Sequence, residues 1–227
     1  MGEVVRRARR DPERRARIRE AAAELIATRG YHAVGVADIG VAAGIVGSGV
    51  YRHFESKSAL LAVLLKDVMD GLVRDAAAIA DVGSDDRETV SALVSNHIRV
   101  AVEQRRVLQV YFRELPSLPE PDQRRLRQSQ RHYIEEWVAV LAPLRRDLAD
   151  AELRLTVHAA IGVIQSILFH DIGLPTARLR GLVEEMAHAC LGLSADQPSP
   201  VRSLAAEAPR SESSSLNSCV RPKLPRC

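Results

Sequence analysis

The sequence predicts an all-helical protein, a small amino-terminal domain followed by a larger one, on three observations. Ala, Leu, Val and Arg dominate while aromatic residues make up only 4%, and Ala, Leu and Arg are strong helix formers. Apolar residues recur at helical spacing along most of the chain, and no segment keeps the alternation of a half-buried strand. Stop and start residues punctuate these periodic stretches at intervals that suit helices. At 227 residues, 46% hydrophobic and 27% charged, the chain has the balance of a globular protein with a sizeable core.

The elements follow in order. Asp11-Pro12-Glu13 opens a first helix with an N-cap, a proline at the first helical position and an early acid. Ile18, Ala22, Leu25 and Ile26 then repeat on one side, and Gly30 closes a helix expected over 12–29. A short helix is expected from Val36 to Ala43, stopped by Gly44, and a third over about 47–53. Ser56 caps a long fourth helix with an apolar stripe from Leu60 to Leu72, which ends near Asp81–Ser84. Further helices are expected over about 85–104, 105–115 (stopped by Pro116) and 120–142. Asp150 is expected to cap the next, over about 151–170. Its stretch "LTVHAAIGVIQSILFH" is apolar on nearly every side and predicts burial all round, within a core or by a partner subunit. A last helix, over about 176–191, ends at Gly192. From Ser194 the chain is rich in Ser and Pro with few large apolar residues, which predicts disorder over 194–227.

Charge is uneven. Residues 1–60 carry 11 Lys/Arg against 7 Asp/Glu, and eight arginines fall between Arg6 and Arg19. Such a run suits a polyanionic partner or a solvated arm. No stretch approaches the roughly 20 apolar residues of a membrane span, and no apolar run follows the arginines as in a secretory signal, so a cytoplasmic protein is expected. Cys190, Cys219 and Cys227 offer neither a disulfide framework nor a zinc pattern. HExxH, GxSxG and a glycine-rich phosphate loop are all missing from the sequence. The expectation is therefore a non-enzyme that uses neither metal nor cofactor.

The informative stretch is "GYHAVGVADIGVAAGIVGSGVYRHFESKSALL", residues 30–61. Two short helices about a tight glycine turn cross steeply. Val36, Ile39, Val41, Ala42, Ile45, Val50 and Phe54 are spaced to pack them on the first helix. The third helix then presents Gly47, Ser48, Gly49, Tyr51, Arg52 and His53 outward: small residues for close backbone approach, with hydrogen-bonding groups beside them.

The run "REAAAELIATRGYHAVGV", the segment "ADIGVAAGI" and above all "VYRHFESKSALL" resemble the TetR family of bacterial repressors, in detail over about residues 12–65. The resemblance implies a helix-turn-helix DNA-binding domain over 12–55 behind a flexible basic arm, 1–11. A helical ligand-binding and dimerisation domain would follow over 56–193. It implies that Tyr51, His53 and Lys57 reach phosphates, which fix register without reading sequence. Base reading would fall to Gly47, Ser48, Gly49 and Arg52. Arg52 forks onto guanine O6 and N7 or binds phosphate, and both readings stay open. The chain departs from the family with Val at position 36, where a Thr is common, and with Val46 at a capping position. Two glycines in the third helix cost about 1 kcal/mol each relative to Ala.

The resemblance also implies a homodimer on a palindromic double-stranded operator, released by a small-molecule inducer. The inducer would be hydrophobic or acyl-type, an acyl-CoA included. Ile161, Ile164 and Leu168 with Leu182, Val183 and Met186 are the candidate dimer residues, with ordinary core packing as the alternative. Tyr111, Trp137 and Gln165 are the candidate ligand contacts, with His97, Phe112 and His170 beside similar apolar runs. Arg105, Arg106, Arg113, Arg124 and Arg125 either accept the phosphates of a CoA or form a solvated face.

Overall fold

The computed structural model describes residues 12–83, 85–170 and 173–193. Among these residues there are nine α-helices and no strand. They are α1 (Pro12–Arg29), α2 (Val36–Ala42), α3 (Gly47–Val50), α4 (Lys57–Val82), α5 (Asp86–Glu103), α6 (Arg105–Glu114), α7 (Glu120–Leu141), α8 (Asp150–Ser166) and α9 (Thr176–Leu191). The Asp11 cap, the basic arm and the tail from Ser194 lie outside the described residues.

Most boundaries have a local cause that the sequence displays. Ser56 Oγ accepts from Ala59 N at 3.0 Å and starts α4, and the Asp85 carboxylate accepts from Glu88 N at 2.9 Å and starts α5. Gly30 (φ 83°) and Gly192 (φ 68°) close α1 and α9 in the left-handed conformation. Pro116 turns the end of α6 into a 3-10 turn, Leu115–Ser117.

Three expectations are corrected. The third helix keeps only Gly47–Val50, and Tyr51–His53 form a turn in which His53 N donates to Val50 O at 2.9 Å. Val46 supplies no capping side chain and two of the four helical residues are glycine, so nothing local sustains a longer helix. Asp150 is not the cap of α8. It lies in the first turn and pairs with Arg154, while the Glu152 carboxylate accepts from Ala149 N. That helix also ends at Ser166 instead of near His170.

The third correction concerns the dimer residues. Within one chain the stretch over α8 is enclosed on part of its surface, and a partner subunit would have to cover the rest: Leu155 is 70% exposed and Phe169, just beyond the helix, is 44% exposed. Ile161, Ile164 and Leu168, expected at a dimer seam, are at most 5% exposed within one chain, and Val183 of α9 is 2% exposed. They pack inward because α8 lies along α9 and against α7, which already fills that stripe. Met186, at 46% exposed, does face out.

One continuous core runs from Ile18 to Leu193. In its amino-terminal part Ile18, Ala22, Ile26, Ile39, Val50 and Phe54 seat α2 and α3 on α1. In the larger part α4 packs along α7, and Trp137, the chain's one tryptophan, is 1% exposed. Three polar ties hold α6 to the amino-terminal helices. Arg106 pairs with Glu24 at 2.9 Å, Arg113 donates to Ala27 O at 3.0 Å, and the Glu114 carboxylate accepts from Tyr31 N at 3.0 Å.

Candidate nucleic-acid interface and ligand cavity

The turn between α2 and α3 is built on missing Cβ atoms. A Cβ on Gly40 would lie 2.8 Å from Gly47 Cα, and one on Gly47 would lie 3.1 Å from Ala37 Cα. The two helices cross at backbone contact, a distance only glycine permits. Gly44, at φ 69°, makes the reversal between them, and Ile45 N donates back to Gly40 O at 2.9 Å. Gly47 therefore serves the α2–α3 contact, which its place in the sequence did not reveal.

Of the other expected residues, Ser48, Tyr51 and Arg52 are exposed, with Tyr51 at 57%. Gly49 and His53 are half-buried. Phe54 is buried beneath them, with the Arg15 guanidinium 5.0 Å from its ring centroid. This places Arg15 of the basic run against the same segment. Arg19 is engaged elsewhere, with Asp67 of α4 at 2.8 Å.

Lys57 has an internal role. Its ammonium donates to Tyr31 O at 2.9 Å and Val34 O at 3.0 Å, and stands 4.1 Å from the Tyr31 ring centroid. A cation in the first turn of α4 opposes the helix dipole, and the two carbonyls offset that cost. Lys57 thereby clamps the α1–α2 loop onto α4. The same loop is held from the other side by Glu114 through Tyr31 N.

A cavity of about 70 Å³ lies between α4, α5, α6, α7 and α8. Val68, Met69, Leu72 and Ile134 supply much of its apolar wall. Tyr111 and Gln165, two of the candidate ligand contacts, line it, as do His97 and Phe112. Trp137 does not; it packs behind the wall, its ring centroid 6.2 Å from that of His97 and 6.1 Å from that of Tyr133. His170 is also away from the cavity, exposed, with Nδ1 against Ser166 O at 3.0 Å. Sequence reasoning missed Gln130, Tyr133 and His158 as lining groups. The signal available was spacing: residues 130, 133, 134 and 137 share one face of α7.

His97 Nδ1 and Tyr133 Oη are 2.7 Å apart. Burial lowers the His97 imidazole from its ordinary value to about 4, so the ring is neutral at pH 7. Burial also pushes the Tyr111 phenol up to about 12. His97 Nε2 and Tyr111 Oη are buried with no hydrogen-bond partner among the described residues.

The five arginines weighed as phosphate acceptors all have partners within the chain. Arg105 donates to Leu168 O and His170 O, and Arg106 and Arg113 tie α6 to α1. Arg124 and Arg125 pair with Glu120 and Asp122. Among the described residues no group of three or more His, Cys, Asp or Glu could hold a metal ion, and no helix is long and apolar enough to cross a membrane.

Known proteins match this arrangement. Residues 18–64 match the model of bacterial regulatory proteins of the tetR family, and residues 83–168 match that of the tetracyclin repressor-like C-terminal domain. The chain is 31% identical over 129 residues to the HTH-type transcriptional repressor KstR2 of Rhodococcus jostii, a match covering 56% of this chain and 63% of that protein. It is 36% identical over 82 residues to the HTH-type transcriptional activator FasR of Mycolicibacterium smegmatis, covering 36% of this chain and 37% of that one. These matches thus span less than two thirds of either relative. The solved structure of the ketosteroid transcriptional regulator KstR2 of Mycobacterium tuberculosis superposes with a TM-score of 0.68 at 25% identity, over 79% of this chain and 93% of that one. With one family model lying on the helix-turn-helix and a second on the helices that enclose the cavity, the chain belongs to the TetR family of bacterial regulatory proteins.

Proposed function

We propose that this protein is a transcriptional repressor that binds a palindromic operator as a homodimer and leaves it when a small molecule enters the cavity. The observation that carries this reading is the outward set Ser48, Tyr51 and Arg52 on a glycine-tight α2–α3 turn. In this reading Tyr51 and His53 contact phosphates, and Ser48 and Arg52 meet base edges. Gly47 and Gly49 keep the backbone close to the groove. Lys57 keeps a third N–H for phosphate beyond the two it gives to carbonyls. Residues 12–55 form the DNA-binding domain and 56–193 the ligand-binding and dimerisation domain. Arginines of the 1–11 arm reach an adjacent minor groove. A DNA partner places the protein in the cytoplasm with the nucleoid, and no step calls for catalysis.

The dimer forms through the outer faces of α8 and α9, where Leu155 and Met186 are exposed and Gly162 and Gly181 have open space above them. Small residues let helices of a second copy approach closely. A two-fold axis there sets the half-site spacing, about one helical turn of DNA or a multiple of it. Ligand in the cavity presses on α6, and the ties from Arg106, Arg113 and Glu114 carry the displacement to α1 and the α1–α2 loop. By linkage, operator DNA weakens ligand binding by the same factor that ligand weakens DNA binding.

The test is binding of purified protein to DNA upstream of its own and neighbouring genes, against unrelated competitor DNA and over a range of salt. Binding that survives competitor and maps to one palindrome is expected. Binding equal on all fragments and lost steeply with salt would leave only the phosphate contribution and overturn the specific-regulator reading. Since one matched relative is an activator, transcription from the bound fragment decides the sign.

A further inference from the structure

The cavity's lining selects a class of ligand. Among its described lining residues there is no Asp, Glu, Lys or Arg. Its polar groups are the His97 imidazole, the Tyr111 and Tyr133 hydroxyls and the more exposed Gln130, Gln165 and His158. An ionised carboxylate or phosphate drawn into such a site gives up its hydration and meets no countercharge among these lining residues, which disfavours it. A purely apolar ligand avoids that cost but leaves His97 Nε2 and Tyr111 Oη buried and unpaired, as they are now. Each such orphan carries the desolvation cost of an unmade hydrogen bond, and a ligand that pairs with it recovers part of that.

Resting on the reading of this cavity as the effector site, we propose that it takes an uncharged, mostly apolar ligand carrying a hydrogen-bond acceptor, received by the Tyr111 hydroxyl and the His97 imidazole. These groups come from α6 and α5, so the acceptor bridges two helices. In this arrangement the Tyr133 hydroxyl of α7 donates to Nδ1 across 2.7 Å, so the neutral imidazole carries its proton on Nε2 and donates it to the ligand. Both groups remain neutral at pH 7, the imidazole because burial holds it near 4 and the phenol because burial holds it near 12. Arg127 is the cation whose charge acts on the Tyr111 phenol, but it is exposed and donates to Gln123 at 2.8 Å. An anionic head would therefore sit outside on the surface. The 70 Å³ of room is smaller than the roughly 300–1,000 Å³ of ordinary ligand sites. Entry must push the walls apart, and flexible Met69 is among the residues that yield.

The test uses three probes of one skeleton on the full chain at pH 7.5: methyl cyclohexanecarboxylate, cyclohexanecarboxylate and methylcyclohexane. The fluorescence of Trp137, the single tryptophan behind the cavity wall, reports binding. The ester is expected to bind saturably and at least tenfold more tightly than the carboxylate. Tyr111→Phe, which removes only an unpartnered hydroxyl, is expected to weaken the ester about fivefold and leave the hydrocarbon unchanged. A carboxylate that binds as tightly as the ester overturns the ligand class while leaving the cavity reading intact. A Tyr111→Phe variant that binds the ester as tightly as the wild type overturns the role of the hydroxyl. If neither ester nor hydrocarbon binds, the cavity reading itself fails, and the ligand class fails with it.

Discussion

Lowering the pH from 7 to 5 should destabilise this protein through one residue, His97. In the native chain the imidazole is held near 4 by burial, against an ordinary 6.5. The unfolded chain therefore takes up a proton as pH falls through 6.5, while the native chain does not until pH 4. Stability falls with pH across that window and is independent of His97 above it. Each unit is worth 1.36 kcal/mol, so His97 alone removes about 2 kcal/mol by pH 5 and about 3 kcal/mol by pH 4. The rest of the chain has its own pH dependence, so the reading must be a difference between two proteins. His97→Asn keeps a partner for the Tyr133 hydroxyl and cannot titrate. Urea unfolding at pH 7, 6 and 5, followed by Trp137 fluorescence, should show the wild type losing about 2 kcal/mol more than the variant between pH 7 and 5. Parallel losses in the two proteins would mean that native His97 takes up protons as readily as the unfolded chain, and the reasoning from burial would be refuted.

Three further outcomes follow from the geometry. Gly40→Ala, whose Cβ would meet Gly47 Cα at 2.8 Å, should cost about 1–3 kcal/mol in urea unfolding and abolish operator binding. Arg52→Ala separates the two readings of that residue. A phosphate contact lowers binding to all sequences and reduces the slope of affinity against salt by about one, whereas a base contact relaxes preference at one operator position at about 1–3 kcal/mol. Leu155→Asp with Met186→Asp should convert dimer to monomer in sedimentation equilibrium and leave helicity by circular dichroism unchanged, since both side chains face solvent in the single chain.

Local chemistry made much of the fold legible in the sequence. A Ser56 or Asp85 side chain caps the helix beside it, and Gly30 and Gly192 stop helices because of their own backbone freedom. No distant residue is needed for those statements. The order of short helices around residues 30–61 was legible for the same reason, and it carried the resemblance to the family. The third helix came out shorter than expected because poor local propensity at Gly47 and Gly49 outweighed the reach of the pattern.

The sequence by itself determined that the chain is helical, where most helices begin and end, and which segment presents hydrogen-bonding groups outward. Only the tertiary structure decided what those helices turn toward each other. The sequence over α8 is apolar on so many sides that its periodicity cannot choose a stripe; packing on α7 and α9 took Ile161 and Ile164 inward and left Leu155 outside. Tyr31 and Glu114 are 83 positions apart, and His97 and Tyr133 are 36 apart. Their pairing depends on how the α1–α2 loop meets α6 and how α5 meets α7, a long-range outcome that no local pattern encodes. The neutrality of His97 follows from the same assembly, because a pKa responds to burial and neighbours, and the sequence names the imidazole without its surroundings.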